Sequence, residues 1–295
     1  MVTPQEYCEA LARGHYENFP VASRLLPSAM RPHVAAVYAF ARIADDLADE
    51  GRAAPADRLA ALDAWERRLV ATTSGQPDPG GPHPLVLAAI RETARVCDLP
   101  VSLLTDLLSA FKQDVAVVRY ATWSSLLDYC RRSANPVGRL VLRIAGHRDP
   151  RLDAASDDVC TALQLTNFWQ DLERDWQKGR VYVPAEISVA AGAREEDLGK
   201  DRLTPQWRSA LEECTRRTRV LFSTGRAVCD GVSGRLMWEL RATWLGGSRI
   251  LDGLERVQFD VFAHRPALGA ADVLPIAWQA LTWRRTVIAA RAVAN

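Results

Sequence analysis

The sequence predicts an all-α protein: one helical bundle, a single domain spanning residues 1–295. Three observations carry this. Apolar residues recur at three- and four-residue intervals along most of the chain. Strand signals are nearly absent, with no sustained alternation and one β-like piece, Val181-Tyr182-Val183. Proline, glycine and Ser/Thr/Asp punctuation falls between the periodic stretches.

Taken in order, Pro4 to Arg13 reads as a short helix and HYENFPVAS (15–23) as a polar-aromatic break ending at Pro20. Arg31-Pro32 opens the next helix, with proline in its first turn, and its apolar residues Val34, Val37, Tyr38, Ala41 and Ile43 run to an acidic end near Glu50. Asp57 to Ala71 follows, with Leu59, Leu62, Trp65, Arg68 and Leu69 at helical spacing, then a turn-rich loop at 72–84. Helices over Leu85–Cys97 and Val101 to about Val118 flank the stop-start signal Asp98-Leu99-Pro100. Thr122 or Ser124 caps a helix through Tyr129 that Pro136 should kink or interrupt. One long helix is expected from about Asp153 to Lys178, and two or three more over about Pro205–Asp230, Gly234–Asp252 and Leu274–Ala292. That makes about ten helices, with no tandem repeat.

Composition narrows the function. Basic and acidic residues balance, 37 against 36, so no basic field recommends nucleic acid as a partner. Cysteines 8, 97, 130, 160, 214 and 229 are scattered with no C-x-x-C pair, which speaks for reduced thiols in a cytoplasmic setting and against zinc or a redox dithiol. The N-terminal stretch lacks an apolar signal core, and no window approaches the roughly 18–20 apolar residues of a membrane span. Peripheral contact with the inner membrane surface stays open, and Trp283-Arg284-Arg285 is one stretch that could touch headgroups.

Two acidic stretches carry chemistry. In QLTNFWQDLERDWQKGRVYVP (164–184), Gln164, Asn167, Asp171 and Asp175 share one helical stripe, while Ala162, Leu165, Trp169, Leu172 and Trp176 form an apolar one. Lys178-Gly179 reads as a helix stop. In RIADDLADE (42–50), Asp45 and Asp49 share a face, Asp46 lies about 100° round the helix, and Arg42 precedes Asp45 by one turn. Either stretch alone could be a solvated, ion-paired helix face, with Arg174 and Lys178 as local partners in the first. Together they suggest more, because carboxylates crowded at a helix C-terminus repel one another and oppose the macrodipole unless a cation joins them. Two oxygen ladders facing each other suit Mg²⁺ shared with a diphosphate, and a helical interior suits a dry pocket for the carbocation left when diphosphate departs.

With these motifs in place, the chain resembles the squalene/phytoene synthase family over nearly its full length. DDLAD (45–49) is similar to the family's first Asp-rich motif, and NFWQDLERD (167–175) followed by GRVYVP (179–184) to its second. Within the family, HYENFPVAS resembles the hydroxysqualene synthase branch of bacterial hopanoid biosynthesis. The resemblance implies an isoprenoid-synthase fold with a central active-site cavity. It implies Mg²⁺ at Asp45, Asp49, Asn167, Asp171 and Asp175, with Asp46 beside them; His15, Arg42, Arg180, Asn167 and Gln164 as substrate contacts; and Tyr129 bordering the reaction chamber. The implied reaction ionises presqualene diphosphate, rearranges the cation and captures it with water. Condensation of two prenyl diphosphates to presqualene diphosphate, squalene or phytoene is the sibling alternative, and a non-catalytic helical assembly protein the alternative of another class. Hand-off to other enzymes of the same route is implied as a partner relation.

One departure stands out. Where the family commonly has small apolar residues and a glycine, this chain has Ser133-Ala134-Asn135, then Pro136. Asn135, with Ser133, is therefore expected either to place the capturing water or to satisfy backbone groups freed at the Pro136 kink.

Overall fold

The structure, a computed structural model, describes residues 2–14, 25–49 and 53–284. It is all-α. The helices are α1 (Pro4–Gly14), α2 (Arg31–Asp49), α3 (Pro55–Thr73), α4 (Pro84–Cys97), α5 (Val101–Asp114), α6 (Trp123–Ser133), α7 (Asn135–Ile144), α8 (Pro150–Gln170), α9 (Leu172–Gln177), α10 (Ala185–Ala190), α11 (Pro205–Gly225), α12 (Gly234–Arg256) and α13 (Ala270–Leu281). Short 3₁₀ turns link several of them.

Two helices organise the rest. In α2 every residue from Val34 to Phe40 is buried, so this helix has no solvent face there, and α1, α3, α4 and α5 pack around it. α8 is buried on several sides in the same way, with α6, α7, α11 and α12 against it. Gly138 of α7 lets α7 and α8 approach closely, because a Cβ there would overlap the side chains of Ser156 and Cys160 on α8. Buried apolar residues fall into three clusters, not one: around α2, around the α8–α11 contact, and between Leu26–Val34 and the α8–α12 region. Polar groups occupy the ground between the first two.

The structure settles several boundaries: α5 ends at Asp114 and not near Val118, and the last described helix is Ala270–Leu281 where Leu274–Ala292 was expected, the residues beyond 284 lying outside the described ones. Thr122, not Ser124, caps α6, its hydroxyl accepting from Ser125 N–H at 3.1 Å. Pro136 does interrupt the helix, at Ala134, and sits in the first turn of α7 where its missing N–H costs nothing. The helix expected over 153–178 is cut at Asp171, whose φ of −103° and ψ of 16° leave the helical region. At that turn two consecutive side chains are drawn off by a passing segment: Gln170 donates to the Pro266 carbonyl and Asp171 pairs with Arg265. The 72–84 loop is no linker. Buried Arg68 grips it with two hydrogen bonds to Asp78, both 2.8 Å, and one of 2.6 Å to the Pro82 carbonyl. The β-like piece survives as a single parallel bridge between Arg119 and Val181. All six cysteines are free thiols. Among the described residues no helix is long and apolar enough to cross a membrane.

Candidate active site

Both central helices end in carboxylates, and their ends meet. At the C-terminal end of α2, Arg42 binds Asp46 at 2.6 Å and reaches Asp45 at 3.5 Å. Asp46 is thus held on the helix's own surface by Arg42, away from the Asp45–Asp49 face. Burial and the neighbouring Asp49 push the Asp45 carboxyl above the usual carboxylate range, more than Arg42 draws it back.

The second ladder is delivered by a turn that the sequence encodes in Gly179. α9 ends in a Schellman motif: Gly179 N–H donates to Trp176 O at 2.8 Å and Arg180 N–H to Asp175 O at 2.7 Å, with Gly179 at φ +78°. Arg119 fixes the turn from outside, donating to the Gly179 carbonyl at 2.6 Å while its guanidinium lies over Trp176. The chain therefore reverses just before Arg180. That residue reaches across to α2 and grips Asp49 with both Nη atoms, at 2.6 and 3.2 Å. Its Nη2 also donates to the Asp114 carbonyl at the end of α5, at 3.3 Å. Asp175 feels this neighbourhood: burial first, then Asp171, with Asp49 adding to the repulsion, push its carboxyl up to about 6.

Two residues that the motif reading missed complete the site. Asp114 accepts a 3.0 Å hydrogen bond from the Tyr129 hydroxyl, and its other oxygen, Oδ1, is buried with no hydrogen-bond partner among the described residues. Burial, with Asp49 and Asp45 facing it, pushes Asp114 up to about 7 despite Tyr129 and Arg180. Its sequence signal was an acid at the C-terminus of an apolar helix, the arrangement already weighed for Asp45–Asp49. Arg265 is the other: it clamps Asp171 at 2.6 and 3.0 Å, and Arg174 lies 3.5 Å from the same carboxylate. A lone arginine in an irregular segment gives no signal in sequence. Beside Asp114 stands an aromatic wall of Tyr120, Tyr129, Phe168 and Tyr182, with Phe168 and Tyr182 stacked at 3.7 Å.

The structure brings some predicted residues together and separates others. Asp45, Asp49, Arg180 and Tyr129 converge on Asp114, and Asp175 faces Asp49 and Arg180. Asp171 sits one turn before Asp175 and faces Arg265, because the break at Asp171 bends the expected straight stripe. Asn167 is exposed and Gln164 half-buried on the last turns of α8. The carboxylates form a half-open rim, not an enclosed interior pair: the side chains of Asp45, Asp49 and Asp171 keep 45, 37 and 24% of their surface. Asn135 is buried, and its side-chain carbonyl accepts from the Thr161 hydroxyl at 2.8 Å, tying α7 to α8. Ser133 differs, its hydroxyl being buried with no hydrogen-bond partner among the described residues. Trp244 packs edge-on against Phe222 and Trp283 and is not part of the aromatic wall. His15 lies outside the described residues, as does all of the 15–23 stretch.

The residues fit Mg²⁺ of a particular kind. Among the described residues no three acidic, His or Cys side chains converge closely enough to hold an ion alone. The donors are nonetheless all oxygens, and those of Asp45, Asp114 and Asp175 are held above the ordinary carboxylate range by burial and mutual repulsion. Such a set suits a cation that takes one or two carboxylates and completes its shell with water and phosphate.

An all-helical bundle whose central helix α2 ends in carboxylates, one of them gripped by Arg180 from the turn after α9, is the frame of a helical synthase. This chain belongs to the squalene/phytoene synthase family, whose model matches residues 12–272. The family processes prenyl diphosphates. A hydroxysqualene synthase of Zymomonas mobilis is 40% identical over 71% of this chain and 69% of its own length. One of Rhodopseudomonas palustris is 36% identical over the same shares. The solved structure of squalene synthase HpnC from Alicyclobacillus acidocaldarius is 39% identical and superposes with a TM-score of 0.80, over 87% of this chain and 95% of that one. A dehydrosqualene synthase at 21% identity shares the fold, with a TM-score of 0.81.

Proposed function

We propose that this chain converts presqualene diphosphate and water to hydroxysqualene and diphosphate. The observation that supports this best is the Arg180 bridge, which brings the ends of α2, α5 and α9 to one rim beside an aromatic wall. The similarity to hydroxysqualene synthases supports the branch.

In this reading Asp45, Asp49, Asn167, Asp171 and Asp175 hold Mg²⁺, which when bound neutralises the departing diphosphate. Arg180 and Arg42, with His15 and Gln164, hold the diphosphate end; for Arg42 and Arg180 this means exchanging carboxylate partners for phosphate oxygens. Cleavage of the carbon–oxygen bond sends the electron pair to diphosphate and leaves a cyclopropylcarbinyl cation. The rings of Tyr129, Phe168 and Tyr182 offer that cation their faces and exclude bulk water. Tyr129 stays a neutral phenol, because its proton is directed at Asp114 and burial raises its pKa well above the usual tyrosine range. Ring opening yields an allylic cation. One water adds to it and loses a proton to the released diphosphate, so no reductant is needed. For placing that water, the unpaired Ser133 hydroxyl is a better candidate than Asn135, whose carbonyl is engaged by Thr161.

Purified protein with Mg²⁺ is given presqualene diphosphate or farnesyl diphosphate, and products are read by mass. Hydroxysqualene from the first and none from the second is expected. Squalene or a carotenoid precursor from farnesyl diphosphate would move the chain to the sibling reaction, and no Mg²⁺-dependent diphosphate release from either would favour an assembly role. A cytoplasmic enzyme lying against the inner membrane surface, handing its product to the next enzyme of the route, completes the proposal.

A further inference from the structure

The most apolar helix of this chain is also among its most exposed. In α13 every residue except Asp272 and Gln279 is apolar, yet only Ala280 is buried. Val273, Leu274, Trp278 and Leu281 keep 62, 80, 67 and 66% of their surface. Leu274, Trp278 and Leu281 are spaced by four and three residues, so they line one stripe. An exposed apolar stripe containing a tryptophan is uncommon on a soluble protein unless something covers it.

The helix is held so that the stripe faces outward. Its first turn is fixed by Arg249, which binds Asp272 at 3.0 Å, while Asp272 also accepts from Gly269 N–H at 2.9 Å. Its last turn is fixed by Arg241, which donates to the Ala280 carbonyl at 3.3 Å. Trp283 then turns inward, donating to Asp230 at 3.0 Å, with the Arg226 guanidinium 4.0 Å above its ring. Trp283 therefore locks α13 and is not itself a headgroup contact. These polar pins all lie on the protein side, which leaves the apolar stripe as the outer surface.

Charge indicates what covers it. After Asp272 the chain carries no acidic residue to its end, and its charges are Arg284, Arg285 and Arg291. Arg284 is exposed at the end of the helix. An apolar stripe with tryptophan at its centre and an exposed arginine, Arg284, just past one end matches the boundary of an anionic lipid layer, where tryptophan sits at headgroup depth and arginine meets phosphate. The segment that leads into this helix touches the site. Arg265, on Asp171, precedes α13 by five residues, and Pro266 accepts from Gln170.

We infer that α13 docks this protein on an anionic membrane surface through Leu274, Trp278 and Leu281, with Arg284 on lipid phosphate. On the proposed function, which this inference uses only for direction, the water-insoluble product would then leave beside the lipid layer.

The test needs no substrate, so its failure is separate from failure of the proposed reaction. Full-length protein is pelleted with phosphatidylcholine vesicles that contain or lack phosphatidylglycerol. Partition into the anionic vesicles is expected, weakened by salt. A Leu274→Glu/Trp278→Glu/Leu281→Glu variant should lose at least about tenfold in partition coefficient, and Trp278→Ser alone should lose less. Both should melt as the wild type does, and both should release diphosphate normally from detergent-dispersed substrate. The inference is overturned if wild type stays in the supernatant, or if the triple variant pellets equally. It is also overturned if wild type is a dimer in solution that the triple variant converts to monomer, since the stripe would then be a self-association face.

Discussion

Asp114→Asn should stabilise the metal-free protein at pH 8 while impairing the enzyme. Asp114 is pushed up to about 7 by burial and by the facing carboxylates of Asp49 and Asp45. Unfolded, it titrates near the ordinary aspartate value of about 3.9. Below about pH 4 the carboxyl is protonated in both states, and it contributes nothing that depends on pH. Between about 4 and 7 the unfolded chain ionises freely while the folded one holds its proton. The folded state then binds more protons, and stability falls as pH rises. Above about 7 the whole penalty is present, at most about 4 kcal/mol for a gap of about three pH units. Asparagine cannot ionise and escapes it. Its amide still accepts from Tyr129, but its NH₂ must find an acceptor where Oδ1 now has none, which takes back about 1–2 kcal/mol. The expected outcome is a variant more stable by about 2–3 kcal/mol at pH 8 and weaker by about 1–2 kcal/mol at pH 4. Urea unfolding in EDTA across pH 4–8 measures this. Asp175, pushed up to about 6, loads the same window in both proteins, so the difference between the curves isolates Asp114. Turnover with Mg²⁺ should fall by about 10- to 100-fold, the worth of one charged hydrogen bond. A variant less stable by the same amount at both ends of the range would refute the assignment of Asp114 as a buried, repelled carboxylate.

Two further outcomes follow from the local geometry. Asn135→Ala and Thr161→Val should each cost about 1–3 kcal/mol in urea unfolding, and the two should couple by about 1 kcal/mol, because each removes the same buried hydrogen bond. Product identity should not change in either variant. An Asn135→Ala enzyme with a new product beside an unchanged Thr161→Val enzyme would return the water-placing role to Asn135. Gly179→Ala should cost about 1 kcal/mol from the positive φ alone, since nothing lies within 4 Å of the added Cβ. Because the turn aims Arg180, KM should rise as well, and Gly179→Asn, which tolerates that conformation, should recover both.

How much of this could be read from sequence depends on the range of the interaction. The helices were legible because their signals are local: periodicity, Pro32 and Pro136 in first turns, Gly179 past a last one. The break at Asp171 was not, because nothing within α8 causes it. It comes from residues 265 and 266, nearly a hundred positions away, which engage Gln170 and Asp171 together. The same holds for the site. Asp45, Asp49, Asp171 and Asp175 announced themselves by clustering at helical spacing. Asp114 and Arg265 stand alone in sequence, and they become informative only when packing sets Asp114 against Tyr129 and Arg265 against Asp171.

That division has a physical consequence for how the site works. In the free protein each conspicuous carboxylate of the rim except Asp175 already has an arginine: Asp46 and Asp45 share Arg42, Asp49 has Arg180, and Asp171 has Arg265. Those arginines hold the ladders' charge in check without metal, and this is why clustered acids at two helix ends can fold at all. Cation binding would take over that neutralisation and leave guanidinium groups facing the rim, the geometry that an incoming diphosphate needs. Asp114 lies outside the exchange. Its side chain takes a hydrogen bond from Tyr129, and burial with the facing Asp49 and Asp45 pushes it up to about 7, above the value of about 6 for Asp175. Among the described rim carboxylates the most unfavourable is therefore the one that no motif marks, and its cost is the stability that Asp114→Asn should recover.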